Sequence, residues 1–141
     1  MADILMLEVT TPTGLALETE AEYVQAPSVQ GEFGVLPNHL PVLAALKCGL
    51  MKYKANGQTH VACIGPGFIE AEPDRVIVLS DLFASPESID VDEAKKELDE
   101  AVKTLAAYGE RHEGPEYEEL QRDIDWAQAR IDCVAEADRL S

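Results

Sequence analysis

The chain predicts an all-β N-terminal sandwich followed by an α-helical hairpin, and three observations support this. Over residues 4–82, short β-rich runs alternate with turn signals, among them Thr13-Gly14, Asn56-Gly57, Gly65-Pro66-Gly67 and Pro73-Asp74. Many short antiparallel strands joined by such turns indicate a sandwich or flattened barrel. Over residues 87–108 Gly and Pro disappear while Ala, Glu, Lys and Leu take over. Two successive segments then repeat apolar residues at three- and four-residue steps, the period of an amphipathic helix. The change of texture after Pro86 divides the chain into a sandwich over residues 1–86 and a two-helix antiparallel hairpin over residues 87–141.

Residues 4–10 open the strand series. Leu15, Leu17, Thr19 and Ala21 alternate with acidic or small neighbours, as a half-buried strand does, and lead into Tyr23-Val24. Within residues 31–46, two glycines, two prolines and one histidine interrupt an apolar run. Proline lacks an N–H and fixes its φ, so Pro37 and Pro41 expel the piece between them from any central ladder. Gly31 and Gly34 permit backbone shapes that other residues resist. The whole segment therefore reads as a stiff loop presenting Glu32, Phe33, Leu36, Asn38 and His39 at a surface. Residues 50–54 and 59–64 flank Asn56-Gly57, the strongest short hairpin signal a sequence offers. Residues 68–72 follow, and the nearly all-apolar Arg75-Val-Ile-Val-Leu79 is expected to be the most buried strand.

Asp90 stands three residues before Glu93, close to a capping box, with acids crowding the first helical turn where the dipole favours them. Val91, Ala94, Leu98, Ala101, Val102, Leu105 and Tyr108 then make one face apolar for about five turns. Gly109 is the expected C-terminal cap. Pro115 suits the first turn of a second helix that runs to near Leu140. Tyr117, Leu120, Ile124, Ala127, Ile131 and Val134 give it a narrow coiled-coil-like seam, and the short loop makes the two helices antiparallel. A further stripe of Trp126, Ala129, Cys133, Ala137 and Leu140 lies roughly 140° around the same helix. One hairpin partner cannot cover both stripes. Either the sandwich or an outside protein buries Trp126, or a mostly alanine stripe stays exposed.

Composition excludes several roles. The 141 residues hold 11 basic and 27 acidic side chains, a net charge of −16, which repels nucleic acid and anionic lipid. No apolar run approaches the roughly 18 to 20 residues that span a bilayer. Met1 to Leu5 lacks the basic flank of a signal or transit peptide, so any membrane association is expected to come through another protein and without direct bilayer insertion. Cys48, Cys63 and Cys133 are odd in number and form no C-x-x-C pattern, which fits reduced, buried thiols and neither a metal site nor a cofactor. No phosphate-binding loop, dinucleotide fingerprint, H-E-x-x-H or G-x-S-x-G is present, and no catalytic residue is expected. His60, beside a turn in an alternating strand, reads as solvated or hydrogen-bonded, and His112 as loop polarity. Asp99-Glu100 and Glu118-Glu119 read as solvated helix faces.

The run Gly31-Glu-Phe-Gly-Val-Leu-Pro-Asn-His-Leu-Pro-Val-Leu43 resembles a motif of the epsilon subunit of F-type ATP synthases, Gly-Glu-(Leu/Phe)-Gly-(Ile/Val)-x-Pro-Gly-His-x-Pro-(Leu/Val)-Leu. Glu32, Gly34, Pro37, His39 and Pro41 all fall in register, and the similarity continues through the strand-rich part to the helix start at Ile89-Asp90. Asn38 departs from the glycine more usual there. Asparagine is among the residues that best tolerate a left-handed backbone, so the loop shape is expected to survive.

The resemblance implies a non-catalytic central-stalk subunit on the cytoplasmic side of the bacterial inner membrane, coupling proton translocation to ATP synthesis. Its sandwich would bind the gamma subunit. Glu32, Phe33, Leu36, Asn38 and His39 would touch the c-ring of the membrane sector, although His39 has a plainer alternative role, satisfying carbonyls within its own loop. The hairpin would regulate ATP hydrolysis, meeting alpha and beta subunits of the catalytic head through Trp126, Cys133, Leu140, Arg122 and Arg130.

The rival reading is an ATP-sensing module. Some relatives start the first helix with Ile/Leu-Asp-x-x-Arg-Ala and bind ATP with arginines of the second. Here Glu93 stands in place of that arginine, and Asp123, Asp125 and Asp132 surround Arg122 and Arg130. From Glu87 onward 7 basic residues face 17 acidic ones, a net −10 that opposes both phosphate and the acidic loops of a catalytic head. A small enzyme on a sandwich scaffold lacks a nucleophile paired with a base. Calorimetry with Mg-ATP on the isolated chain is expected to give millimolar binding or none; tighter binding would favour the sensor.

Overall fold

The computed structural model describes residues 4–108 and 113–141; the expected cap Gly109 and His112 lie outside the described residues. Ten strands come first: β1 (Leu5–Thr11), β2 (Gly14–Ala21), β3 (Tyr23–Ser28), β4 (Gly31–Val35), β5 (Val42–Leu46), β6 (Gly49–Ala55), β7 (Gln58–Ile64), β8 (Gly67–Glu72), β9 (Arg75–Ser80) and β10 (Phe83–Ala84). A 3-10 turn at Pro86–Ser88 leads to α1 (Val91–Ala107) and α2 (Pro115–Leu140). The β-sandwich and helical hairpin expected from the sequence are both present.

The sheet order is β10-β7-β6-β3-β5-β8-β9-β1-β2, with β4 paired to β3. A single pair, Ser28 with Leu46, joins β3 to β5, and there the sheet folds over into two layers. Pro27 sits where the neighbour of β3 changes from β6 to β5, a place where its missing N–H is tolerated. The pairing is not uniformly antiparallel: β1 runs parallel to β9, from Met6 beside Arg75 to Thr10 beside Leu79.

Strand alternation sends Leu5, Leu7, Val9, Val24, Met51, Ile69, Val76 and Val78 inward, and all are fully buried in one core. Asn56 and Gly57 take φ of 53° and 76°, the left-handed pair of a tight two-residue hairpin, and close β6 on β7.

Three expectations need correction. The apolar segment now β9 is not the most buried strand, because it alternates: Ile77 is half-buried and Leu79 is 51% exposed on the outer face. Burial on both faces occurs instead at the end of β7, where Val61, Ala62, Cys63 and Ile64 are all buried because α2 covers the face the sandwich leaves open. The segment 31–46 is not one loop either. Glu32 and Phe33 lie in β4, paired with Pro27 and Ala26, and only residues 36–41, the piece bounded by the prolines, leave the ladder before β5 begins. Finally, Val102 is 46% exposed instead of lying in the hairpin seam.

Asp90 caps α1 as expected, its Oδ1 accepting the Glu93 N–H at 3.1 Å. Pro115 opens α2 after Gly114, whose φ of 102° suits glycine. Ala94, Ala101 and Ala127 are buried, small residues that let helix backbones approach closely. Tyr108 donates to Glu116 at 2.9 Å, and Arg130 of α2 ion-pairs with Glu97 of α1.

Gly67 is demanded by the space left beside a neighbouring backbone. A Cβ at Gly67 would stand 1.8 Å from the Leu79 carbonyl oxygen, so β8 can pair with β9 there only without a side chain. Gly67→Ala is expected to destabilise the chain by about 2–3 kcal/mol, read as a lowered urea midpoint with an unchanged slope.

Candidate functional site

Residues 36–41 form a projecting loop held from beneath. Asn38 has a φ of 65°, so the left-handed backbone expected of it is present. Its N–H donates to the Pro73 carbonyl at 2.7 Å, which ties the loop to the turn between β8 and β9. In the same loop Leu36 and Leu40 stand 60% and 80% exposed. Apolar side chains held open to solvent on a braced loop favour contact with another surface.

The neighbouring strand β4 supplies Glu32 and Phe33. Tyr23 Oη donates to Gln25 Oε1 at 3.1 Å, and Gln25 Nε2 donates to Glu32 Oε2 at 3.2 Å, so a short chain of hydrogen bonds orients the Glu32 carboxylate. Gly34 serves this chain through its size. Its φ is not positive, but a Cβ would lie 2.9 Å from Tyr23 Oη. His39 meets the Leu40 carbonyl through Nδ1 and sets its ring edge-on to Phe33 with centroids 6.2 Å apart. The contact with Leu40 is the local carbonyl role weighed for His39, and it also fixes the ring beside Phe33. Register placed Phe33 and Glu32 beside this loop; no signal in the sequence pointed to Pro73 as its anchor.

The second group of candidate residues lies elsewhere, on α2. Trp126, Ala129, Cys133, Ala137 and Leu140 pack against Val61, Cys63, Cys48, Leu50, Ala84 and Ile89 of the sandwich and its linker. The sandwich therefore covers this stripe, one of the alternatives open from the sequence. Arg130 lies over the Trp126 ring at 5.8 Å while paired with Glu97, and Arg122 is exposed. Lys52 of β6 reaches Glu136 at 3.6 Å, and the hydrogen bond from Arg139, helped by Lys52, holds the Glu136 carboxyl below the usual carboxylate range.

A groove of about 850 Å³ opens between the sandwich and the end of α2, past Tyr53, His60, Phe83, Glu87 and Leu140, and its lining includes no Lys or Arg to meet a phosphate. His60 stacks on Tyr53 at 5.2 Å. Among the described residues, no group of three or more His, Cys, Asp or Glu side chains is placed to hold a metal ion, and no helix is long and apolar enough to cross a membrane.

Asn38→Gly should lower the urea midpoint less than Asn38→Val, since glycine adopts the same φ freely. Asn38→Val should cost about 1–2 kcal/mol in the same measurement.

Comparison with known proteins gives this geometry a context. The family described as "ATP synthase, Delta/Epsilon chain, beta-sandwich domain" matches residues 4–86. An ATP synthase epsilon chain of Nitratidesulfovibrio vulgaris is 44% identical over 111 residues, covering 79% of this chain and 83% of the relative. Another, of Desulfitobacterium hafniense, is 33% identical over 134 residues, 95% of this chain and 98% of the relative, and so includes the hairpin. A chain in the Euglena gracilis mitochondrial ATP synthase structure, which comprises OSCP, F1 and the c-ring, shares the fold with a TM-score of 0.78 at 17% identity, over 96% of this chain and 82% of that one. From the sandwich match and these relatives together, the chain belongs to the ATP synthase epsilon chain family.

Proposed function

We propose that this chain is a non-catalytic rotor subunit in the central stalk of an F-type ATP synthase, coupling proton passage through the c-ring to ATP synthesis in the catalytic head. The observation that carries the reading is the braced loop. A contact that bears load must keep its shape when pushed, and a loop already fixed by two prolines, the left-handed Asn38 and the Pro73 anchor loses little freedom on docking. Glu32, Phe33, Leu36, Asn38 and His39 are the proposed c-ring contacts. They combine exposed apolar surface with an oriented carboxylate and an imidazole, a chemistry suited to polar loops at a membrane surface.

The gamma subunit is the proposed partner of the sandwich. Leu43, Phe68 and Leu79 are exposed on the outer faces of β5, β8 and β9, and Phe68 pairs directly with Leu79. Exposed apolar residues grouped on a sheet face favour a protein partner. Position follows from partners: the chain would sit peripherally at the cytoplasmic face of a bacterial inner membrane, held by the complex and not by lipid. The hairpin is the proposed regulator of ATP hydrolysis. Cys133, and the buried parts of Trp126 and Leu140, would become available to alpha and beta subunits when α2 leaves the sandwich, whereas Arg122 is exposed throughout.

Reconstituted into an epsilon-depleted synthase, Glu32→Gln and His39→Ala chains should lower proton-driven ATP synthesis several-fold while leaving the thermal midpoint nearly unchanged. Equal losses of coupling and thermal stability would make both residues structural. Failure of the unaltered chain to bind gamma or restore coupling would remove the rotor reading itself.

A further inference from the structure

Two of the three cysteines meet across the only large contact between the hairpin and the sandwich seen among the described residues. Cys63 lies near the end of β7 and Cys133 in the middle of α2; both are fully buried in the cluster that docks the helix, beside Val61 and Ala129. The two side chains share that buried cluster from facing elements, and the Cys63 thiol donates to the Ala84 carbonyl oxygen at 3.5 Å. Cys48 borders the same cluster but is only partly buried. No disulfide is present, and the sulfurs belong to separate elements joined through a linker and α1.

We infer that Cys63 and Cys133 are a disulfide-forming pair, a modification site that fastens the hairpin to the sandwich when a small-molecule disulfide oxidises it. The latch belongs to this chain by itself and does not depend on the rotor reading.

The chemistry is thiol–disulfide exchange. The Cys133 thiolate attacks one sulfur of the small disulfide and releases one thiolate, leaving a mixed disulfide on α2. Cys63 then loses its proton and attacks the Cys133 sulfur, forming the Cys63–Cys133 bond and releasing the second thiolate. The two cysteines together lose two electrons and two protons, and the reagent is reduced to two thiols. Cys133 is the first attacker because lifting α2 carries its sulfur out of the cluster, while Cys63 stays on the sheet with its thiol donating to the Ala84 carbonyl. In the docked state Cys48 is a poor competitor, since burial, with Asp125 and Asp81 nearby, pushes its thiol up to about 12.

Because both sulfurs are closed off in the docked state, the reagent reaches Cys133 only when α2 lifts. Redocking then presents Cys63 to the mixed disulfide. Bond formation thus converts a reversible contact into a fixed one.

The test uses the full chain, oxidised with excess oxidised glutathione, blocked with a maleimide and mapped by peptide mass spectrometry. The expected product is an intramolecular Cys63–Cys133 link in the unaltered chain and in Cys48→Ser, reversed by dithiothreitol and absent from Cys133→Ser. Amide exchange in α2 should slow by about 30-fold or more on oxidation, the effect of a cross-link worth a typical native disulfide. Bonds that form only between molecules or through Cys48 would overturn the proposal. So would Cys63 and Cys133 remaining free, or stopping at the glutathione adduct, in the folded unaltered chain.

Discussion

Val61 to Ile64 of β7 are buried on both faces of the sheet, and most of the architecture answers to that constraint. Ala62 and Ile64 fill the sandwich core, whereas Val61 and Cys63 project to the other side, where no strand covers them. Without a cover, β7 would leave an apolar face in water at roughly 25 cal/mol for each Å². The stripe of α2 from Trp126 to Leu140 supplies the cover. The route of the chain after β10 follows from this need: a short 3-10 turn, then a first helix whose capped start at Asp90 brings its partner back over β7. The sandwich and hairpin are separate in composition but share this one apolar contact, flanked by the Lys52–Glu136 ion pair.

Much of this was legible in the sequence because it rests on local chemistry. Asn56-Gly57 specified a turn that only left-handed residues make, Asp90 a cap, and Pro115 the first turn of a helix. The two stripes of α2 were readable from spacing alone, since 3.6 residues per turn separates them on the cylinder. What covers the second stripe was not readable, because burial against the sandwich and burial against another protein use the same apolar side chains. Arg75 to Leu79 misled for a related reason. A continuous apolar run suggests burial on both faces, but Ile77 and Leu79 face outward, and what a sheet's outer face meets is not written in the strand itself.

The loop region shows a finer division. Pro37 and Pro41 correctly bounded the piece that cannot join a ladder, and Asn38 kept the left-handed geometry that its chemistry permits. Glu32 and Phe33 nonetheless returned to a strand, because Gly31 makes a turn with φ of 123° and lets β4 fold back on β3. The neighbouring glycine has a different cause. Gly34 leaves room for the Tyr23 phenol that begins the hydrogen-bond chain to Glu32, a contact across strands that cannot be inferred from sequence spacing without knowing the register. The Pro73 anchor is of the same kind, formed between residues far apart along the chain.

The two surfaces of α2 use different residues. Ala127 belongs to the interface with α1, together with the Glu97–Arg130 pair, while Cys133 and Ala129 belong to the interface with β7. Release of α2 from β7 would therefore break one interface and leave the other whole. The helices would swing out as a preassembled lever pivoting near the Pro86–Ser88 turn, so the work of release is set by one patch of contact and not by the refolding of a hairpin.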